Sequence, residues 1–243
     1  MKFKSLFCLL LYLLLFNPIL ARNDTNRIKK GRLILVSSSL GAALSGSYLY
    51  IENAWWADNS TRFSFDDGSD LTYALNVDKC GHFIGGMLAS DIFSSSLRWS
   101  GLGTSKSIWY GAILGSGLQL AIEIKDAYAP YWGFSKWDLT IGSIGSFWPV
   151  AQYYNSNLNA IDFKLSYYKQ SNSYWDLDEQ RGKETNRYAW QDDYSNQTYW
   201  MTFDINHFTQ LSYWPEWLNL AIGFGIDDTQ YLNAQGSKTG GNN

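Results

Sequence analysis

Three apolar segments of this chain carry a small or polar residue at every fourth position. The first row is Asp78, His82, Gly86, Ser90 and Ser94. The second is Ser107, Gly111, Gly115, Gln119 and Glu123, with Asp126 just beyond, and the third is Asp138, Gly142 and Ser146. Residues four apart lie along one ridge of an α-helix, the ridge that seats in a neighbour's groove. Small residues there let two backbones approach closely, which is how helices associate where hydrophobic burial cannot drive them together, as in lipid. The rows therefore predict helices packed through Gly86, Ser90, Gly111, Gly115 and Gly142. A shorter row, Ser37, Gly41 and Ser45, runs through a fourth apolar segment.

Capping and breaking signals set the limits. The first of the three helices should start at Asp78, an N-cap type of residue, and end near Ser96, before the turn signal RWSGLGTS. The next should run from about Ser105 to Asp126, stopped by Ala129 and Pro130, because the residue before proline avoids the helical region. The last should start at Ser135, where S-K-W-D reads as a capping box with Asp138 at its third position, and should weaken at Pro149. Upstream, Leu33 to Ile51 is a 19-residue run without charge. As a helix it would measure about 28 Å against a hydrocarbon core of about 30 Å, so it is either a span or a buried helix.

Short connections force consecutive helices to run antiparallel. The expected fold is thus mainly α: an antiparallel four-helix bundle with small-residue packing ridges, plus a small, aromatic-rich C-terminal layer, α/β or irregular. From Ile161, IDFKLSYY alternates apolar and polar residues as a half-buried strand does. TYWMTFDI, at 198 to 205, is its partner or a short amphipathic helix. YWPEWLNLAIGFGI sets Trp and Tyr beside an apolar run, which suits an interfacial anchor or a cover for the bundle. The charged stretch DLDEQRGKETNR reads as a solvated loop.

The N-terminus reads as an export signal. Lys2 and Lys4 precede an apolar run from Leu6 to Phe16, followed by Pro18 and a small residue, Ala21, at a plausible cleavage position. The expected organisation is a signal peptide at 1–21, a helical bundle at 22–160, an aromatic-rich layer at 161–234 and a disordered tail at 235–243. Cys8 leaves with the signal, so Cys80 has no partner for a disulfide. A net charge of −3 offers no footprint for nucleic acid. Aromatic residues make up 17% of the chain, with twelve Trp, and such side chains suit surfaces that are half apolar and half wet.

Antiparallel neighbours put the start of the first ridge helix, the end of the second and the start of the third at one end. Asp78, Lys79, His82, Glu123, Asp126 and Asp138 should converge there. Arg98, Lys106 and the basic residues Arg27, Lys29, Lys30 and Arg32 belong to the opposite end. A cleaved signal would leave the mature N-terminus outside, whereas the basic end of an inner-membrane protein is expected inside. That conflict favours the periplasm or outer membrane over the inner membrane.

The polar cluster could be a structural network, with Asp78 and Asp138 capping helices and Lys79, Lys125 and His82 neutralising the rest. The less favoured alternative is that it binds a divalent metal or holds a general acid and base. No HExxH helix is present and one nearby histidine argues against zinc, so no metal and no cofactor are expected. His207, among aromatic residues, reads as packed or at the surface. GLGTSKS lacks the glycine before lysine of a phosphate loop, and no GxSxG elbow is completed.

DKCGHFIGGMLAS, then IEIKDAYAPYWGFSKWDL and GSIGS, resembles the YfiM family of predicted periplasmic lipoproteins, in the longer form of Bacteroidetes-like bacteria. The core of the likeness is Asp78 to Phe147, with a further echo in WPEWLNLAIGFG. The order DKxxH, Glu, Asp and a Gly-containing helix is also remotely similar to VanZ-like membrane proteins. The resemblance implies an envelope location and no established activity, and its motif positions coincide with the polar cluster. The chain lacks a lipobox cysteine, a departure from the family. The expected role is that of a membrane-associated envelope protein, accessory or structural, with a membrane or envelope component as its partner. The alternative is an enzyme or binding protein for a lipid-linked or glycan substrate at the polar end.

Overall fold

The computed structural model of the chain describes residues 27–54, 61–129, 132–172, 175–176, 179, 190–209 and 213–227. The expected signal peptide, most of the charged stretch at 176–187 and the tail lie outside them. The chain is mainly helical, with a small three-stranded antiparallel sheet towards the C-terminus. Helix α1 is Lys30–Ala54, α2 is Val77–Trp99, α3 is Thr104–Asp126 and α4 is Lys136–Tyr154. Strands β1 (Ile161–Tyr167), β2 (Gln197–Phe203) and β3 (Leu220–Gly225) lie side by side in that order. Ile161 faces Phe203, and Thr198 faces Gly225.

Helices α2, α3 and α4 meet along the small-residue rows. A Cβ on Gly86 would lie 2.1 Å from the carbonyl oxygen of Gly142, and one on Gly111 would meet Ser94 Oγ and lie 2.6 Å from the carbonyl oxygen of Ser90. One on Gly115 would stand 2.9 Å from Ser146 Oγ, and one on Gly142 would run into the side chain of Gln119 at 2.8 Å. At Gly86 and Gly111 the neighbour is a backbone carbonyl, and at Gly115 and Gly142 it is the side chain of Ser146 or Gln119, so each approach depends on a missing side chain. Two serines in the rows satisfy themselves: Ser94 Oγ and Ser146 Oγ donate to the carbonyls of Ser90 and Gly142, one turn back in their own helices, whereas the buried Ser90 Oγ has no hydrogen-bond partner among the described residues.

Helix α1 is peripheral to that trio. Leu33, Leu40 and Leu44 touch a cluster of Phe93, Leu97 and Leu114, while Ile34, Leu35 and Leu49 are exposed. Its basic start meets the far end of α2, where Lys29 N–H donates to the Ser100 carbonyl and the Arg32 guanidinium lies 4.7 Å over the Trp99 ring. It is long and apolar enough over Lys30–Tyr50 to cross a membrane.

Several local readings are corrected. Asp78 does not cap α2: the helix starts at Val77, and the capping position is Asn76, in the left-handed region at φ 65°. Ala74 and Leu75 share that conformation, at φ 44° and 49°, so the chain enters α2 through a left-handed turn. The carboxylate of Asp78 is thereby free to face Lys79. At the other end, α2 continues past Ser96 to Trp99. Helix α4 does not weaken at Pro149 but runs on to Tyr154, because Val150 packs with Ile108 and Ala112 and holds that turn in place. The segment WPEWLNLAIGFG supplies strand β3, and 198–205 is mainly the partner strand β2, not a helix.

The sheet leans on the start of α2. Tyr73, Val77, Ile84, Trp175, Tyr199 and Ile226 form one buried cluster, with Phe83, Phe163 and Leu165 packed around it. Through this contact a strand from the C-terminal part reaches the polar end of the helices.

Candidate functional site

Lys79 gathers three carboxylates. Its ammonium lies 2.5 Å from Asp70 Oδ1, 2.7 Å from Asp78 Oδ2 and 2.7 Å from Asp138 Oδ1, with all four side chains largely buried. One turn along α2, His82 Nδ1 is 3.0 Å from Gln119 Oε1, and Nε2 faces Asp138 Oδ2 at 3.8 Å. Glu123, 1% exposed, accepts a hydrogen bond from the Ser135 backbone N–H through Oε2. Its other oxygen, Oε1, stands 4.0 Å from His82 Nδ1 and has no hydrogen-bond partner among the described residues.

The S-K-W-D motif makes half of its capping box. Ser135 Oγ accepts from the Asp138 backbone N–H at 3.1 Å, as an N-cap should. The reciprocal half is replaced, since the Ser135 N–H goes to Glu123 and the Asp138 carboxylate turns to Lys79. Ser135 Oγ also donates to Asp70 Oδ2 at 2.6 Å. Asp70 lies in the connection between α1 and α2, outside every periodic row, and sequence reasoning missed it. Neighbouring Asp66 and Asp67 bond to backbone N–H groups of the same turn, so no local pattern distinguishes Asp70 from them.

Two cavities flank these groups. One, of about 280 Å³, is lined by Asp78, His82, Gln119, Asp126 and Asp138 and walled by Tyr73, Trp132, Trp190, Tyr194 and Tyr199. The other, of about 290 Å³, is bordered by Glu123, Asp126, Ser135 and Asp138 and by the Asp66–Asp70 turn. Asp70, Tyr73, Asp126, Trp132 and Asp138 face both. Tyr199 comes from β2, and its hydroxyl donates to Gln197 Oε1 at 2.5 Å. Trp132 packs edge-on against Tyr73 at 5.2 Å. Gln119, predicted only as a ridge residue, is in the site, and the aromatic wall was not foreseen. All six residues of the predicted cluster therefore border or support the same polar end. His207 is elsewhere, at the surface beside Asn157.

Burial raises the carboxyls. Glu123 is pushed up to about 9 by loss of water, reinforced by Asp126 and Asp138 and only partly countered by the Ser135 N–H. Asp78 rises to about 7 for the same first reason, although Lys79 opposes it. Asp70 also rises, by burial and then by Asp138. For Lys79 burial acts downwards, but the three carboxylates outweigh it and its pKa rises. A histidine, a carboxyl poised above neutrality and ionised carboxylates beside a cavity can exchange protons or receive hydrogen bonds from a ligand.

Residues 63–154 match a family model described as "Predicted periplasmic lipoprotein (DUF2279)". The periplasmic description agrees with the export expected from the N-terminus. The remote likeness to VanZ-like proteins has no counterpart in that match. No curated protein and no solved structure matches the chain.

Proposed function

We propose, for a chain whose residues 63–154 belong to the YfiM-like family of predicted periplasmic lipoproteins, that it sits against a membrane of the envelope and binds the polar head group of a lipid-linked or glycan ligand at its acidic end. One observation carries this reading: Asp78, Asp126, Asp138, His82 and Gln119 border an aromatic-walled cavity while also being tied to one another and to Lys79. Carboxylates and an amide carbonyl accept from hydroxyls, while aromatic walls such as Trp132 and Trp190 cover the apolar faces of a ring. A few placed polar groups in a mostly apolar cleft are the usual makings of a ligand site.

The membrane seat is supported by the outer faces of the helices. Ile92, Ile113, Leu120 and Ile144 are exposed in mid-helix. Exposed aromatic residues mark both ends of this band: Trp99, Trp109, Tyr153 and Tyr154 at one, Tyr128 and Trp137 at the other. On α4 the two ends are 16 residues apart, about 24 Å of helix. That is the pattern of an apolar belt flanked by interfacial Trp and Tyr. The polar cluster then stands at and above the belt, outside the hydrocarbon, where a lipid-linked head group would lie. A structural role for part of the cluster is favoured by Lys79, whose three ion pairs tie the α1–α2 connection to α2 and α4.

Two measurements test the two halves. Wild type should remain in membranes washed with alkaline carbonate, and Ile92→Glu combined with Ile113→Glu should abolish that retention. In water the same exposed substitutions would change stability by no more than about 0.5 kcal/mol each, so recovery of wild type with the soluble fraction rejects the seat. For the site, titration with a lipid-linked saccharide should change the tryptophan fluorescence of the purified protein, and Gln119→Ala should weaken binding tenfold or more. Unchanged affinity in that variant would reject the cavity as the binding place.

A further inference from the structure

Each of His82, Glu123 and Asp138 has one polar atom fixed by a neighbour and a second atom left over. His82 Nδ1 is paired with Gln119 Oε1, Glu123 Oε2 with the Ser135 N–H, and Asp138 Oδ1 with the Lys79 ammonium. Held this way, Nδ1 carries the proton and donates it, which leaves the lone pair on Nε2. The atoms left over are His82 Nε2, Glu123 Oε1 and Asp138 Oδ2. Nε2 and Oδ2 face each other at 3.8 Å, beyond hydrogen-bond length. The buried Glu123 Oε1 has no hydrogen-bond partner among the described residues. One donor atom from each of the three residues lies within 4.8 Å of the other two.

From this arrangement we infer that His82, Glu123 and Asp138 form a binding site for one divalent transition-metal cation of the Mn²⁺ or Zn²⁺ kind. One imidazole nitrogen with two carboxylate oxygens suits such an ion better than Mg²⁺ or Ca²⁺, which prefer oxygen alone. Bonds of about 2.0–2.2 Å place neighbouring donors about 3.0–3.6 Å apart, so the donors must draw together by side-chain rotation. Gln119, the Ser135 N–H and Lys79 are the outer partners that orient metal ligands and fix the histidine tautomer. Charge balance points the same way. Asp70, Asp78, Glu123 and Asp138 share a single ammonium, Lys79, which already sits among three of them. No lysine or arginine among the described residues pairs with Glu123, so its carboxyl either keeps a proton or takes a cation as its counter-charge. Three protein ligands beside a cavity would leave coordination positions for water or a ligand oxygen.

This inference goes beyond head-group binding and does not need it. The full-length protein, purified in detergent and stripped with EDTA, is titrated with MnCl₂ and with ZnCl₂ by calorimetry, and with MgCl₂ for comparison. The expected result is one equivalent of Mn²⁺ or Zn²⁺, bound at least tenfold more tightly than Mg²⁺. Pulsed electron paramagnetic resonance of the Mn²⁺ form should show coupling to one imidazole nitrogen. Glu123→Gln keeps an acceptor for the Ser135 N–H and should fold, yet lose tenfold or more in affinity. His82→Ala, at a partly exposed position, should do the same and abolish the nitrogen coupling. Asp162→Asn, exposed on β1, should change nothing. Absence of saturable Mn²⁺ and Zn²⁺ binding, or binding that neither Glu123→Gln nor His82→Ala alters, overturns the inference. A chain that binds saccharide but not the ion refutes this site alone, and one that binds the ion but not saccharide refutes only the head-group reading.

Discussion

Lys79→Met should remove about 3–5 kcal/mol of stability at pH 8, the range expected when one partner of a buried charge network is deleted and its opposites stay behind. Three carboxylates lose their shared cation at once, and the methionine fills the space without replacing the charge. The loss should shrink on acidification. Asp78 and Glu123 are already raised in the folded protein, to about 7 and about 9. A carboxyl raised on folding favours the folded state below its unfolded value of about 4, and that contribution disappears as pH climbs through the folded value. Wild type should therefore lose some stability between pH 5 and pH 9. Without Lys79 the folded-state values of Asp70 and Asp78 rise further, so the variant should fall more steeply over the same window and approach wild type near pH 5. Denaturant melts at pH 5 and pH 8 decide this, and an equal deficit at both would show that Lys79 acts by packing and not by charge.

Gly86→Val should cost about 3 kcal/mol or more, at the upper end for overpacking a filled interior. The obstacle is backbone: the first carbon of any side chain at Gly86 would come within 2.1 Å of the Gly142 carbonyl oxygen and 2.8 Å of Ser146 Oγ. No rotamer change removes a carbonyl, so α2 and α4 must separate. Gly117 on the exposed face of α3 provides the contrast, since a Cβ there meets nothing within 4 Å. Gly117→Ala should raise stability by about 0.5–1 kcal/mol through helix propensity alone. Thermal melts of both variants measure the difference, and similar midpoints for the two would mean that the close crossing of α2 and α4 is not what holds them.

The ridge residues were legible because residue type and helical period carry the same message. A row such as Gly86, Ser90 and Ser94 specifies both a helix and the face it buries. The charged ends of the rows could be grouped before any coordinates because antiparallel connections leave little choice about which ends meet. Asp70, Trp132 and Tyr199 were not legible. Each arrives from a connection or a distant strand, and nothing local in DDGSD or TYWMTF encodes a contact with α2. The run LNLAIGFG did not announce its strand for a related reason: its apolar content suits several structures, and Gly223 and Gly225 blur the alternation that marks a strand. Pro149 shows the limit of a breaker rule where tertiary packing holds the helix on both sides of the missing N–H.

The borrowed cap of α4 also bears on the order in which the chain assembles. A helix whose first N–H groups are met by its own side chains can start alone; here Ser135 Oγ accepts from the Asp138 N–H, but the Ser135 N–H is met by Glu123 of α3 and the Ser135 hydroxyl donates to Asp70. As the chain is synthesised, Asp70, Asp78 and Lys79 emerge well before Ser135 and Asp138. Until the last pair arrives, Glu123 has no backbone N–H to hold and Lys79 lacks its third carboxylate. Completion of the acidic cluster thus coincides with docking of α4, and the aromatic wall from Trp190 to Tyr199 can close over it only afterwards. A chain cut short after α4 would hold the charged network without its aromatic cover.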